Sequence, residues 1–158
     1  MNPPEGAGPE ETVLALAGAK AEEIAEHSAE NDVIIAADTI VWLDGKLLGK
    51  PHDEADAARM LRALSGREHE VWTGVALIRG AERVSGAEQT YVKFRDLTDG
   101  EIAAYIATGE PMDKAGAYGA QGYASLFVEG IRGDFFNVMG LPLCRLGKML
   151  GKLGVKLL

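Results

Sequence analysis

Alternating helical and strand-like patterns predict a mixed α/β fold for this chain of 158 residues. Apolar residues recur at helical spacing from Glu10 to about Ala29, at Val13, Leu16, Ala17, Ala21, Ile24 and Ala25. The run Val33-Ile34-Ile35-Ala36-Ala37 is instead short and continuous, as in a strand buried on both faces. Further on, helix-start signals at Asp53 and Thr98 flank two strand-like stretches.

The remaining elements follow in order. Residues 1–9 are rich in Pro and Gly and read as irregular. Ile40-Val41-Trp42-Leu43 prolongs the first strand, Asp44-Gly45 is a hairpin turn signal, and Lys46-Leu47-Leu48-Gly49 returns. Asp53 is placed to cap a helix running through Leu64, with Met60, Leu61 and Leu64 on its apolar face and Ser65-Gly66 as its stop. Glu70–Ile78 and Val84–Phe94 read as strands joined around Gly80. Thr98 opens a helix, and Glu101 completes a capping box with Ile102, Tyr105 and Ile106 facing inward. A loop rich in Gly and Ala follows, then a strand-like run around Ser125-Leu126-Phe127-Val128 and a final helix after Pro142. No repeat or interdomain linker interrupts this pattern, so residues 1–158 read as a single domain.

Composition narrows the function. A hydrophobic share of 47% with 25% charged residues is ordinary for a globular protein. The net charge of −8 argues against general nucleic-acid binding, which needs a basic face. It leaves room for an anionic small substrate, because a few lysines in a cleft set a local positive field. The single cysteine, Cys144, excludes an intramolecular disulfide and reads as a small hydrophobe on the last helix. No apolar run approaches the ~20 residues of a membrane span, and the first residues lack the pattern of a signal peptide. A cytoplasmic protein without membrane partners is expected.

Two polar clusters carry the chemistry. Met112-Asp113-Lys114-Ala115-Gly116-Ala117-Tyr118-Gly119-Ala120-Gln121-Gly122 sets an acid, a cation and an amide among small residues that let backbone approach a ligand. Upstream, Ala37-Asp38-Thr39 closes the apolar run and Gly49-Lys50-Pro51 follows the hairpin. Asp38 lies where α/β proteins present ligands, and its carboxylate can hold a divalent cation or activate water; a capping acid is the competing reading. Thr39 reads equally as a strand residue. Lys50 reads first as an ordinary surface lysine, although its Gly and Pro neighbours fix its backbone, which suits a phosphate contact; Gln121 lacks space-filling neighbours, which mildly favours a ligand contact. Lys20, alone, reads as a solvated helix lysine, and Asp113-Lys114 as a surface ion pair. His27, His52 and His69 show no metal-ligand spacing and read as surface or loop residues. Trp42 and Trp72 read as core or cleft walls.

Taken in order, these segments resemble the Maf family of nucleoside triphosphate pyrophosphatases. The resemblance runs from Glu10 to about Leu153. It rests on the clusters above with Leu64-Ser65-Gly66, Thr73-Gly74-Val75, Thr108-Gly109-Glu110-Pro111 and Asn137-Val138-Met139-Gly140-Leu141-Pro142-Leu143. It implies an elongated α/β fold, also similar to inosine triphosphatases, with a mixed sheet, flanking helices and a cleft between two lobes. It also implies a homodimer and a divalent cation (Mg2+ or Mn2+). The implied reaction is hydrolysis of a nucleoside triphosphate to the monophosphate and pyrophosphate. Carried over by position, Asp38 is the catalytic acid or metal ligand, and Lys20 and Lys50 contact the phosphates. Asp113, Lys114, Thr39 and Gln121 join them in substrate binding. Thr39, Lys50 and Gln121 match the dTTP/UTP subgroup, whereas the 7-methyl-GTP subgroup carries glutamine after the aspartate and acidic residues at the other two positions. Family members also begin with a strand, a Ser-x-Ser-Pro-Arg-Arg-like segment and a helix that this chain lacks. The expectation is therefore the family's activity for a full-length protein and weak or no turnover for this chain. A nucleotide-binding regulator of cell division without turnover, and a purine-selective inosine triphosphatase, are the competing functions.

Overall fold

The computed structural model describes residues 5–158. The predicted irregular start falls partly on residues 1–4, outside the described residues. Helix α1 (Pro9–Ala25) opens on Pro9, whose fixed φ suits a first helical turn, with Glu10 and Glu11 beside the positive end of the helix dipole. It ends four residues before the expected Ala29, where Ser28 donates to the Ile24 carbonyl and the Asp32 carboxylate accepts from the Ala29 amide. These side chains compete with the helical ladder for its last backbone groups.

Strand β1 (Ile34–Leu43) pairs antiparallel with β2 (Lys46–Leu48), Val41 opposite Leu48 and Leu43 opposite Lys46. Asp44 and Gly45 both take positive φ, 50° and 75°, as a two-residue hairpin requires. Asp53 caps α2 (Glu54–Leu64) by accepting from the Asp56 amide at 2.7 Å. Strands β3 (Glu68–Arg79) and β4 (Glu82–Phe94) form the long hairpin. The Thr98–Glu101 capping box starts α3 (Asp99–Ala107), with both reciprocal bonds at 3.1 Å. β5 (Val128–Arg132) pairs antiparallel with β4, followed by α4 (Phe135–Met139) and α5 (Leu143–Lys152). The strand order is β2-β1-β3-β4-β5.

Two compact units divide the chain. The first comprises the described part of Met1–Thr39 with Trp72–Glu88 and Phe136–Leu158; the second comprises Ile40–Val71 and Gln89–Phe135. In the first unit, Ala17 and Ala21 of α1 pack on Ile34, Ala36, Ala76 and Ile78. On the other sheet face, Leu146, Met149, Leu150 and Leu153 cover Val75 and Leu77, with Ala37 at the margin. The buried-on-both-faces reading of residues 33–37 therefore fails. Ile34 and Ala36 are buried but Ile35 is 44% exposed, because it shares the face of Ala37 and lies outside the cluster that α5 forms there.

In the second unit, α2 packs against α3. Phe94 lies edge-on to His69, Tyr118 and Phe127, with ring centroids 5.2, 4.7 and 6.2 Å away. His69 thus belongs to the core, correcting the surface reading; its Nε2 lies 2.6 Å from the Tyr118 hydroxyl. Cys144 is exposed, a second correction, since the buried phase of α5 runs through Leu146, Met149 and Leu150. Residues Tyr123–Leu126 form a 3-10 turn where a strand was expected, and the strand starts only at Val128.

Two predictions follow from this packing. A Cβ on Gly74 would lie 2.2 Å from the Val13 carbonyl oxygen, a backbone atom of α1. Gly74→Ala is expected to destabilise the protein by about 1–3 kcal/mol in denaturant unfolding; an unchanged midpoint would show that α1 can yield at no cost. For His69, burial holds the imidazole down at about 4 against its ordinary 6.5. The unfolded chain takes up this proton near 6.5 and the folded chain only near 4, so stability drops as pH falls through that window, by roughly 3 kcal/mol. His69→Gln should flatten that part of the stability–pH curve, and superimposable curves would refute the assignment.

Candidate active site

In the first unit, the alanine interface brings α1 close to the sheet, and Lys20 flanks it. Asp38 continues the face of Ile34 and Ala36 along β1, two residues per step. The Lys20 ammonium therefore donates to Asp38 Oδ1, with the two side chains 53% and 19% exposed. Asp38 Oδ2 has no protein partner among the described residues.

Thr39 points to the opposite face. Its hydroxyl lies 2.8 Å from that of Thr73, which donates to the Asn137 carbonyl at 3.2 Å. The single Thr73 proton being spent there, Thr39 donates inward to Thr73 and keeps its own lone pairs for other donors. Asn137 is fixed in turn by donating to the Glu88 carbonyl at 3.2 Å. A Cβ on Gly140 would approach Thr39 Oγ1 to 3.7 Å, so the segment after α4 lies directly against Thr39.

In the second unit, the Gly116 amide donates to the Gly49 carbonyl at 3.1 Å and ties the Gly/Ala loop to the residue before Lys50. Gly116, at φ +70°, leaves no room for a side chain, since a Cβ would lie 2.8 Å from Val41 Cγ2. This juxtaposition gathers Lys50, Asp113 and Lys114. Lys114 donates to Asp113 at 3.0 Å, and that bond, with a smaller contribution from the Lys50 charge, lowers the Asp113 carboxyl below its ordinary value. Gln121 sits two residues beyond Gly119, against which the Lys114 side chain lies; it is exposed, its amide without a hydrogen bond among the described residues.

The predicted site residues thus sort into the Lys20–Asp38 pair and Thr39 in one unit, and Lys50–Asp113–Lys114 and Gln121 in the other. Thr73, Asn137, Tyr105 and Glu110 were not assigned roles from sequence, although each falls in an element or motif quoted above. Their contacts join positions 34 to 64 residues apart, or run from a helix to a loop, and no spacing rule encodes that. Among the described residues no three His, Cys, Asp or Glu side chains converge. Asp38 does offer one hard carboxylate, which fits Mg2+, a cation commonly held by one or two carboxylates plus substrate phosphates. No helix among the described residues is long and apolar enough to cross a membrane.

Comparison with known proteins agrees with the fold and motif order. The Maf family pattern, described as Maf-like protein, matches residues 1–153. A dTTP/UTP pyrophosphatase of Thermococcus gammatolerans is 55% identical over 135 residues, which cover 85% of this chain and 72% of that protein. One from a Geobacillus species is 53% identical over 146 residues, covering 92% and 78%. One from Bacillus mycoides is 50% identical over 142 residues, covering 90% and 74%. The match spans about three quarters of each relative's length. With the family pattern running through the strands and loops that place Asp38, Lys50 and Gln121, the chain belongs to the Maf family.

Proposed function

We propose that this protein is a nucleoside triphosphate pyrophosphatase acting on dTTP or UTP. The observation that carries the chemistry is the Asp38 carboxylate held on one oxygen by Lys20 with the other oxygen open. The half-identical relatives named dTTP/UTP pyrophosphatase supply the substrate class.

In the proposed reaction, water attacks the α-phosphorus. The new P–O bond forms as the bond from the α-phosphorus to the α,β-bridging oxygen breaks, leaving the monophosphate and pyrophosphate. Asp38 orients the water and accepts its proton, or holds the cation. A divalent cation, when bound at Asp38, supplies Lewis-acid neutralisation of phosphate charge. Lys20, Lys50 and Lys114 balance the charge that develops on the leaving group. Asp113 restrains Lys114 through their ion pair.

Base choice is assigned to Thr39, Lys50 and Gln121. The Gln121 amide offers one donor side and one acceptor side, matching O4 and N3–H of uracil or thymine. A carboxylate there would offer acceptors only, which suits the paired N–H donors of guanine. The Thr39 hydroxyl, having spent its proton on Thr73, can serve only as an acceptor. A cytoplasmic location, where the nucleotide pool lies, completes the proposal.

Incubation with dTTP and Mg2+ is expected to yield dTMP and pyrophosphate; thymidine diphosphate with free phosphate would overturn the assignment. Asp38→Ala should lower kcat/KM by about 10²-fold or more while leaving thermal unfolding in place. Retained turnover in that variant would remove Asp38 from the mechanism.

A further inference from the structure

The turn that carries Gln121 is held by two side chains from outside it. Tyr105, buried on α3, accepts the Gly119 amide on its hydroxyl oxygen at 3.2 Å and donates its proton to Glu110 Oε2. The other carboxylate oxygen, Oε1, accepts the Tyr123 amide at 3.1 Å. Gly122 makes room for this, because a Cβ there would lie 1.9 Å from Oε1. Glu110 is itself placed by Gly109, whose φ of +79° ends α3, and by donation of its own amide to Thr108 Oγ1 at 3.2 Å. From Glu110 the chain runs in a single 3-10 turn to Asp113 and Lys114. The contacts therefore bracket Gln121 on both sides, while its own side chain is exposed and without a partner among the described residues.

A role confined to stability would need no particular orientation of that amide. A glutamine on a free loop would leave both its backbone and its rotamers to be ordered by the ligand, at a cost in entropy. Fixing the backbone on both sides removes part of that cost before a ligand arrives. We propose that Tyr105 and Glu110 are positioning residues that latch the Gly119–Tyr123 turn, so that the Gln121 amide meets the nucleotide base in a set orientation. The proposal rests on the pyrophosphatase reading above.

The test uses Tyr105→Phe, which keeps the edge-on packing of this ring on Phe127 at 5.1 Å, and Glu110→Gln, which keeps the shape but loses one acceptor. Two readouts are taken: hydrogen exchange at the Gly119 and Tyr123 amides, and affinity for the α,β-methylene analogues of UTP and GTP by calorimetry. The latch predicts exchange about ten-fold faster at both amides in either variant. It also predicts a UTP-to-GTP affinity ratio lower by roughly three- to ten-fold, with no further fall when the same substitution is made in a Gln121→Ala background. Faster exchange with an unchanged ratio would make the latch purely structural and overturn the proposal, as would unchanged exchange. A wild-type protein that binds neither analogue overturns the pyrophosphatase reading and this proposal together. That result is told apart from failure of the latch alone, in which the wild type and the variants bind and discriminate alike.

Discussion

The first unit depends on how closely α1 approaches its sheet. Ala17 and Ala21 meet Ala36 and Ala76, and Gly74 lets the Val13 backbone in where any side chain would keep it out. Such small residues bury little apolar area each, so this interface stabilises less than one built from leucines. What it secures is distance. A helix held further out by long side chains would leave Lys20 in solvent, beyond reach of Asp38. The opposite face has the reverse composition, with Leu146, Met149, Leu150 and Leu153 supplying bulk over Val75 and Leu77. One sheet face thus supplies most of the apolar burial, and the other sets a charged pair in place.

In the second unit the same logic is applied to a loop. Ala117 takes φ +65°, which costs a non-glycine residue about 1–2 kcal/mol. The burial of Tyr118, its contact with the His69 imidazole and its edge-on packing with Phe94 offset that cost. The loop is thereby fastened at Tyr118 by the core, at Gly116 by the Gly49 carbonyl, and at Gly119 and Tyr123 by Tyr105 and Glu110. Between the last two of these points Gln121 projects from backbone that is fixed on both sides. His69 being neutral over the range of ordinary pH suits this arrangement, since a buried imidazolium beside Tyr118 would have no counter-charge.

Local chemistry was the legible part of the sequence. The Asp53 cap, the Thr98–Glu101 box and the Asp44-Gly45 turn each depend on residues a few positions apart, and each forms as expected. His69 could have been found by alternation, because it shares the inward phase of Val71, Thr73 and Val75 on β3; its polarity concealed it. Cys144 could have been excluded from the core by the helical period that buries Leu146, Met149 and Leu150. The apolar run around Leu126 had no period, so nothing in it separated a strand from a 3-10 turn. The Thr39–Thr73–Asn137 chain was out of reach because it joins positions 34 and 64 residues apart, and the Tyr105–Glu110 latch because it forms only where α3 meets the following loop. The resemblance quoted these segments without saying what holds them.

The Lys20–Asp38 pair also bears on how an acidic protein handles a polyanion. Over more than about 8 Å the net charge of −8 is largely screened at physiological salt, so nearby groups decide whether a triphosphate is tolerated. The pair is partly exposed, and such ion pairs are worth at most about 1 kcal/mol. Lys20 can therefore leave Oδ1 for a phosphate oxygen without uncovering a deeply buried charge. In the proposed reaction Asp38 in turn regains a second open oxygen for the proton from water or for a cation. A tighter, fully buried pair would have locked both groups out of the proposed reaction. The modest strength of this contact, set by α1 standing close to the sheet but with Lys20 at its margin, is what keeps lysine and carboxylate available.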